Sequence, residues 1–318
     1  MNEKQINKWL RRRFTAVGWT LVVYYLIMNV LAVLSMALDG AKQTIWAFAT
    51  GDYSGNIDMD AIAGNAWGYV LTILVGFVIL CAWKGRDYWK SEILVKENRM
   101  TPFVFFCVLS FCMGAQMVNS LWISLLEVIL NQFGMSAMNI LESVSGDSDT
   151  FSMFLYASIL APIAEEILFR GFCVRSLRPF GKRFAIFGSA ILFGLFHGNL
   201  LQTPYAILMG LVLGYVTVEY SIGWAVLLHM FNNLVLADLL TRLTASWSDM
   251  AYSILNLILF GGFALVSLVI LIVKRKEIRA YNRSEWMDRR CLKCFFTNTG
   301  ILALTAVCVY NMIPLFLA

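Results

Sequence analysis

The chain reads as an all-α, polytopic bundle of membrane-spanning helices, and three observations carry that reading. Hydrophobic residues make up 59% of its 318 positions and charged residues 14%, far from the roughly half apolar, quarter charged balance of soluble domains. Runs of about 17–25 apolar residues, enough to cross a bilayer, recur along the whole length. Lysine and arginine are confined to a few of the intervening segments, as the cytoplasmic retention of basic residues requires.

Eight runs are clear, at 14–38, 67–83, 102–130, 151–172, 204–220, 223–241, 251–273 and 299–317. A ninth, 184–199, is shorter and contains His197. About eight to nine spans are therefore expected, the longest of them tilting or extending beyond the lipid. With nine crossings and a cytoplasmic N-terminus, the inner segments 1–13, 84–100, 171–183 and 274–298 hold 22 of the 25 basic residues. Arg170 lies at an inner helix end, which leaves Lys42 and Arg242 outside, where Asp39, Asp52, Asp58, Asp60, Glu142, Asp147 and Asp149 also fall. The odd count puts the C-terminus outside. The first run exceeds the roughly 7–15 apolar residues of a cleavable signal, so a retained helix is expected. Segments 39–66 and 131–150 carry turn chemistry and read as outer loops, with Ser143 to Thr150 available to cap the next helix. The chain divides into leading helices and outer loops at 1–150, a polar-centred core at 151–241, and closing helices with a basic inner loop at 242–318. Short loops suit a bacterial plasma-membrane protein.

Composition also excludes functions. The net charge of +5 follows from topology and anionic lipid headgroups, and no nucleic-acid recognition motif accompanies it; membrane lipids are the expected surroundings. Five of the seven cysteines, Cys81, Cys107, Cys112, Cys173 and Cys308, lie in or beside apolar runs, where cysteine behaves as a small hydrophobe. Cys291 and Cys294 form one CxxC in the last inner loop. A zinc site would need two more ligands at matching spacing, so a solvated or membrane-apposed thiol pair is expected.

Polar groups inside hydrocarbon are costly and are kept for function, which directs attention to residues 161–233. In Ala161-Pro162-Ile163-Ala164-Glu165-Glu166-Ile167-Leu168-Phe169-Arg170, Glu166 and Arg170 are four apart on one helical face and can pair. Glu165 points about 100° away and is free to face a cavity. The plainer alternative is a charge cluster with Arg170 snorkelling toward headgroups. In Phe193-Gly194-Leu195-Phe196-His197-Gly198, the glycines flank the histidine at GxxxG spacing, which lets another helix press against His197. In His229-Met230-Phe231-Asn232-Asn233, His229 and Asn233 fall at i and i+4 on one face, where an inter-helix hydrogen bond is the alternative use. Helical rise places Glu165, His197 and His229 in one buried layer nearer the cytoplasm.

Such a layer has the parts of a peptide hydrolase. A glutamate takes a proton from water that one histidine helps to hold, while a second histidine and an amide donate to an oxyanion. Alternatively Glu165, His197 and His229 ligate zinc and leave a position open for water, although the spacing is not HExxH.

EExxxR at 165–170, FxxxH at 193–197 and HxxxN at 229–233, in that order on successive runs, resemble the CPBP family of intramembrane proteases, also called Abi or type II CaaX prenyl endopeptidase-like proteins. The resemblance covers roughly 150–241. It implies an endopeptidase acting in or near the membrane, with Glu165 catalytic and His197 its partner on water. His229 and Asn233 would form the oxyanion hole, with Glu166 and Arg170 supporting. The family is often described as metalloproteases; a glutamate mechanism without a required cofactor is the expectation here, since Asn233 is a poor zinc ligand but a good amide donor. The implied substrate is a peptide or membrane protein, of CaaX or bacteriocin-leader type. A non-proteolytic immunity or scaffold protein on the same fold, and a transporter using the same groups as a proton relay, are the rival readings, the latter without the paired broken segments of inverted repeats.

Overall fold

A computed structural model describes residues 2–51, 57–140, 150–284 and 289–312, and every regular element among them is a helix. The first, α1 (Glu3–Thr50), opens on a capping box in which Asn2 and Gln5 exchange side-chain and backbone hydrogen bonds of 2.9 Å, and it closes at Gly51 with φ 73°. At about 1.5 Å per residue, its 48 residues make a rod more than twice the thickness of the hydrocarbon layer. Residues 39–50, expected as part of an outer loop, are thus helix. A lone glycine costs only about 1 kcal/mol in a helix, and Asp39 pairs with Lys42 at 3.0 Å across the turn beside Gly40.

After the short α2 (Met59–Ala63), α3 (Trp67–Tyr88) kinks at Gly85, where φ is 71°. Next comes α4 (Pro102–Asn131), with Thr101 accepting from the Val104 N–H and Pro102 in its first turn, followed by α5 (Phe151–Phe180), capped by Thr150 through the Met153 N–H. The proposed cap residues Ser143–Asp149 lie outside the described residues. There follow α6 (Lys182–Phe196), α7 (Thr203–Glu219), α8 (Ile222–Thr244), α9 (Asp249–Val273), α10 (Arg275–Ser284), α11 (Arg289–Phe296) and α12 (Thr299–Met312).

Each of the nine apolar runs falls on a helix, but they are not equal. Five helices, α1, α4, α5, α8 and α9, are long and apolar enough to cross a membrane, or six if α11 and α12, bent by 55°, form one span. By length and composition the count is thus five to six, rather than eight to nine. The apolar parts of α3 and α7, Trp67–Ala82 and Thr203–Glu219, are shorter, as is the 15-residue α6. Helices of 15–17 residues reach only about 22–26 Å, short of the roughly 30 Å hydrocarbon layer. In α6 and α7 much of the surface is covered by protein: Leu192, Phe193, Leu213 and Val216 are buried.

The main core joins Phe14 and Leu21 of α1, Phe169 and Leu177 of α5, Phe184 and Phe193 of α6, Phe295 of α11 and Leu304 of α12. A second cluster joins Cys112 of α4, Leu213 of α7 and Leu228 of α8. Outside these, Val33 and Leu38 on α1 and Leu265, Val269 and Val273 on α9 are exposed. Apolar faces of this extent mark a lipid-contacting surface, and the protein is an integral, multi-pass membrane protein. Its four basic segments meet at one end: Arg290 pairs with Glu3 at 3.3 Å, Arg183 Nη1 donates to Asn282 O at 2.7 Å, and Arg178 pairs with Glu97 at 3.0 Å. Cys291 and Cys294, expected as solvated or membrane-apposed thiols, are instead buried with Phe295 in the main core. Their i, i+3, i+4 spacing is the inward stripe of an amphipathic helix whose other face carries Arg289, Arg290 and Lys293.

Backbone meets backbone where α1 crosses α12. A Cβ on Gly18 would sit 2.3 Å from Gly300 C, and one on Gly300 would sit 2.5 Å from Thr15 O. Small residues permit such crossings in membranes. Gly18→Val is therefore expected to force the helices apart and cost about 1–3 kcal/mol or more. Thermal melting in detergent checks it; an unchanged midpoint would mean that the crossing is loose.

Candidate active site

The site is built on a change of helical pitch. In α5 an ordinary turn, Ala161–Glu165, lies between wide π-helical stretches, Leu155–Leu160 and Glu166–Val174; α8 widens likewise over Phe231–Leu239. Wide turns of this kind cluster at functional sites.

Glu166 is fully buried and its Oε1 has two partners, Arg170 Nη1 at 3.0 Å and His229 Nδ1 at 2.8 Å. Arg170 is also fully buried, with its guanidinium 4.4 Å from the centre of the Phe193 ring. It does not snorkel. Paired charges in low dielectric hold only with close geometry and further hydrogen bonds, and His229 supplies one. Because a carboxylate only accepts, His229 Nδ1 carries the hydrogen, and a neutral ring leaves its Nε2 with a lone pair.

Glu165, one residue earlier, is in a different setting. Its side chain is 27% exposed, and Oε2 lies 3.7 Å from His229 Nε2. That is too long for a direct hydrogen bond, yet close enough for one water to touch both. The carboxylate lines a cavity of about 20 Å³ with Tyr24, Tyr69, Thr72 and Tyr156, room for about one water molecule. This cavity shares Tyr24, Thr72, Ala164 and Leu168 with a cleft of about 760 Å³ between α1, α3 and α5. Val23, Ile27, Leu80, Ile163 and Ile167 line the cleft, and Arg13 is also in its wall.

His197 stands at the last turn of α6, with Nδ1 2.8 Å from Phe193 O. The carbonyl accepts, so Nε2 is again the nitrogen with the lone pair. Gly198 follows at φ 58°, the left-handed conformation that ends a helix. Of the GxxxG pair, only Gly194 gives close helix approach, since a Cβ there would lie 2.4 Å from Ile207 Cγ1 of α7. The imidazoles of His197 and His229 both meet the Phe193 ring edge to face, at 4.8 and 5.7 Å. Phe193 is thus the shared wall of the layer, a role not read from the sequence. Among the described residues no hydrogen bond or ion pair joins His197 to Glu165.

Asn233 is directed elsewhere than expected. Its Nδ2 donates to Ala157 O at 3.0 Å. In the wide stretch of α5 the Ala161 N–H reaches back five residues to Tyr156 O, so the donor matching Ala157 O is residue 162. That residue is proline, which has no N–H, and the freed carbonyl takes the Asn233 amide. The pitch change at Phe231 alters the register after His229, and no hydrogen bond joins His229 to Asn233 among the described residues.

Residues 147–235 match the family model described as type II CAAX prenyl endopeptidase Rce1-like. This stretch is an Rce1-like domain. No curated protein and no solved structure matches the chain. The Rce1-like domain contains Glu165, Glu166, Arg170, His197, His229 and Asn233, and at family level it makes the chain a membrane peptidase. Helices α1 to α4 and α9 to α12 lie outside it.

Three polar residues around the Rce1-like centre escaped the sequence reading. Asn232 Oδ1 accepts from Tyr205 Oη at 2.5 Å and from Gln116 Nε2 at 2.9 Å, while its Nδ2 donates to Asn233 Oδ1 at 3.0 Å. Gln116 belongs to α4, outside the domain; its only signal was a carboxamide in an apolar run.

The donor set bears on zinc in two ways. Both histidines use Nδ1 as a donor and leave Nε2 in the ligating form, as zinc ligands do. Their placement does not fit, because among the described residues no three His, Cys, Asp or Glu side chains converge as a metal-binding group, Glu165, His197 and His229 included.

Proposed function

We propose that the protein is an intramembrane endopeptidase in which Glu165 is the general base. The observation that carries this reading is the division of labour between adjacent glutamates. Glu166 is neutralised by Arg170 and held by His229, while Glu165 faces a one-water cavity with no cation against it. Water between Glu165 Oε2 and His229 Nε2 would give its proton to Glu165 as its oxygen bonds to the scissile carbonyl carbon. Glu165 then returns that proton to the leaving nitrogen as the C–N bond breaks. The His229 ring, with Nδ1–H on Glu166, orients the water first. It donates to an oxyanion only when it also carries a proton on Nε2. His197 Nε2 is the further acceptor for water, and the second N–H of Asn233 is the amide donor for the oxyanion.

The apolar cleft beside Glu165 supports a substrate with a lipid or membrane-embedded segment, of the prenylated CaaX or leader-peptide class, in a bacterial plasma membrane with the basic end cytoplasmic. The mechanism requires no metal. The test is cleavage by purified protein of prenylated CaaX peptides and unmodified membrane-segment peptides, read by mass spectrometry with and without a zinc chelator. Cleavage that persists within about twofold under chelator is expected, a change under about 0.4 kcal/mol in barrier. Loss under chelator with recovery on added zinc would replace the glutamate mechanism, and failure to cut any peptide would favour an immunity, scaffold or transport role.

A further inference from the structure

We propose that Gln116 and Tyr205 are positioning residues that set which way the Asn233 amide faces, an inference that rests on the oxyanion role proposed for Asn233. The argument is one of hydrogen-bond polarity. Gln116 Nε2 donates to Tyr205 Oη at 2.8 Å and to Asn232 Oδ1 at 2.9 Å, and Tyr205 O–H donates to the same Oδ1 at 2.5 Å. An amide atom that meets two donors must be the carbonyl oxygen, so the NH₂ of Asn232 turns to the other side. There it donates to Asn233 Oδ1 at 3.0 Å, which fixes the second amide in the same sense. Asn233 consequently presents its NH₂ to Ala157 O at 3.0 Å, with one N–H left over.

Reversing any amide in the series would set oxygen against oxygen. If Asn233 flipped, its Oδ1 would face Ala157 O, whose backbone partner Pro162 cannot supply, and its remaining atoms would offer the site no donor. The relay thus carries a direction from α4 and α7 into α8. In chains of buried hydrogen bonds each member polarises the next. The origin of the relay, Gln116, lies outside the Rce1-like domain, so this input is specific to how the present chain surrounds that domain.

The test uses the full-length protein in detergent micelles with ¹⁵N in asparagine only, comparing wild type with Gln116→Met and Tyr205→Phe. Both substitutions keep side-chain shape and remove donors; Tyr205→Phe is the milder and guards against misfolding of the other. Each is expected to shift the side-chain amide signals of both Asn232 and Asn233, identified from their loss in Asn232→Ala and Asn233→Ala. On a cleaved peptide each is expected to lower kcat about tenfold, the scale of one hydrogen bond, with KM held within about twofold. Shifts confined to Asn232, or amide signals identical to wild type, would overturn the relay. So would wild-type kcat, or a fall in kcat matched by the rise in KM that general loosening produces. If the wild type cuts no peptide, the peptidase reading fails while the Asn233 signal still decides the relay.

Discussion

Glu165→Gln is expected to abolish peptide cleavage, by at least about 10²-fold, in a protein that folds and inserts as the wild type does. The substitution conserves shape and removes the group that accepts a proton. Its structural cost is small because Glu165 is partly exposed and its nearest charged neighbour, His229 Nε2, lies 3.7 Å away. The amide of Gln retains hydrogen bonding to water in the adjacent cavity, so water still binds but is no longer activated. Initial rates, together with gel-filtration profile and melting midpoint, decide the matter. A variant with more than about a tenth of wild-type turnover, well inside the 10²–10⁴ range of general-base catalysis, would show that the base is another group.

Glu166→Ala is expected to act on stability first. It strips Arg170 of its carboxylate inside a site from which both are wholly shielded, and breaking a buried pair from one side costs about 3–5 kcal/mol. Lower folded yield and a depressed melting midpoint follow. The double variant Glu166→Leu/Arg170→Met separates stability from chemistry, since replacing both charges by apolar groups is often neutral or stabilising. Its midpoint should recover while cleavage stays lost, because His229 Nδ1 no longer has the acceptor that fixes its tautomer. A Glu166→Ala protein with wild-type melting but no activity would instead mean that the two glutamates exchange the roles assigned here.

How far this arrangement was legible in the sequence depends on which interactions are local. Glu166 and Arg170 could be paired from spacing alone, since four residues separate them along one helix. Apolar runs located every major helix for the same reason, and the three motifs marked the Rce1-like stretch. The contact of Glu166 with His229 is made across 63 positions by two helices, and no period in the chain encodes it. Asn233 was misdirected because an i, i+4 rule assumes ordinary pitch, and composition does not announce a wide turn. Pro162 was the available clue: a residue without N–H inside a polar-centred helix frees a carbonyl that some donor must meet. Gln116 was overlooked inside an otherwise apolar run. Buried Cys291 and Cys294 were misplaced because CxxC was weighed as chemistry before its helical stripe was considered.

The wide stretch at Leu155–Leu160 also sets the phase of everything downstream. It contains a residue beyond what an ordinary turn would hold, so deleting one residue there would let the backbone relax into regular α-helix without losing its ladder. The hydrogen bonding would survive, but the carboxyl-bearing half of α5 would rotate by about 100° against α6 and α8. Such a shortened chain should insert, fold into helices and pass a circular-dichroism measurement, yet turn the wrong glutamate toward the cavity. In this protein a single codon's length, rather than any side chain it encodes, separates a working carboxylate from an idle one.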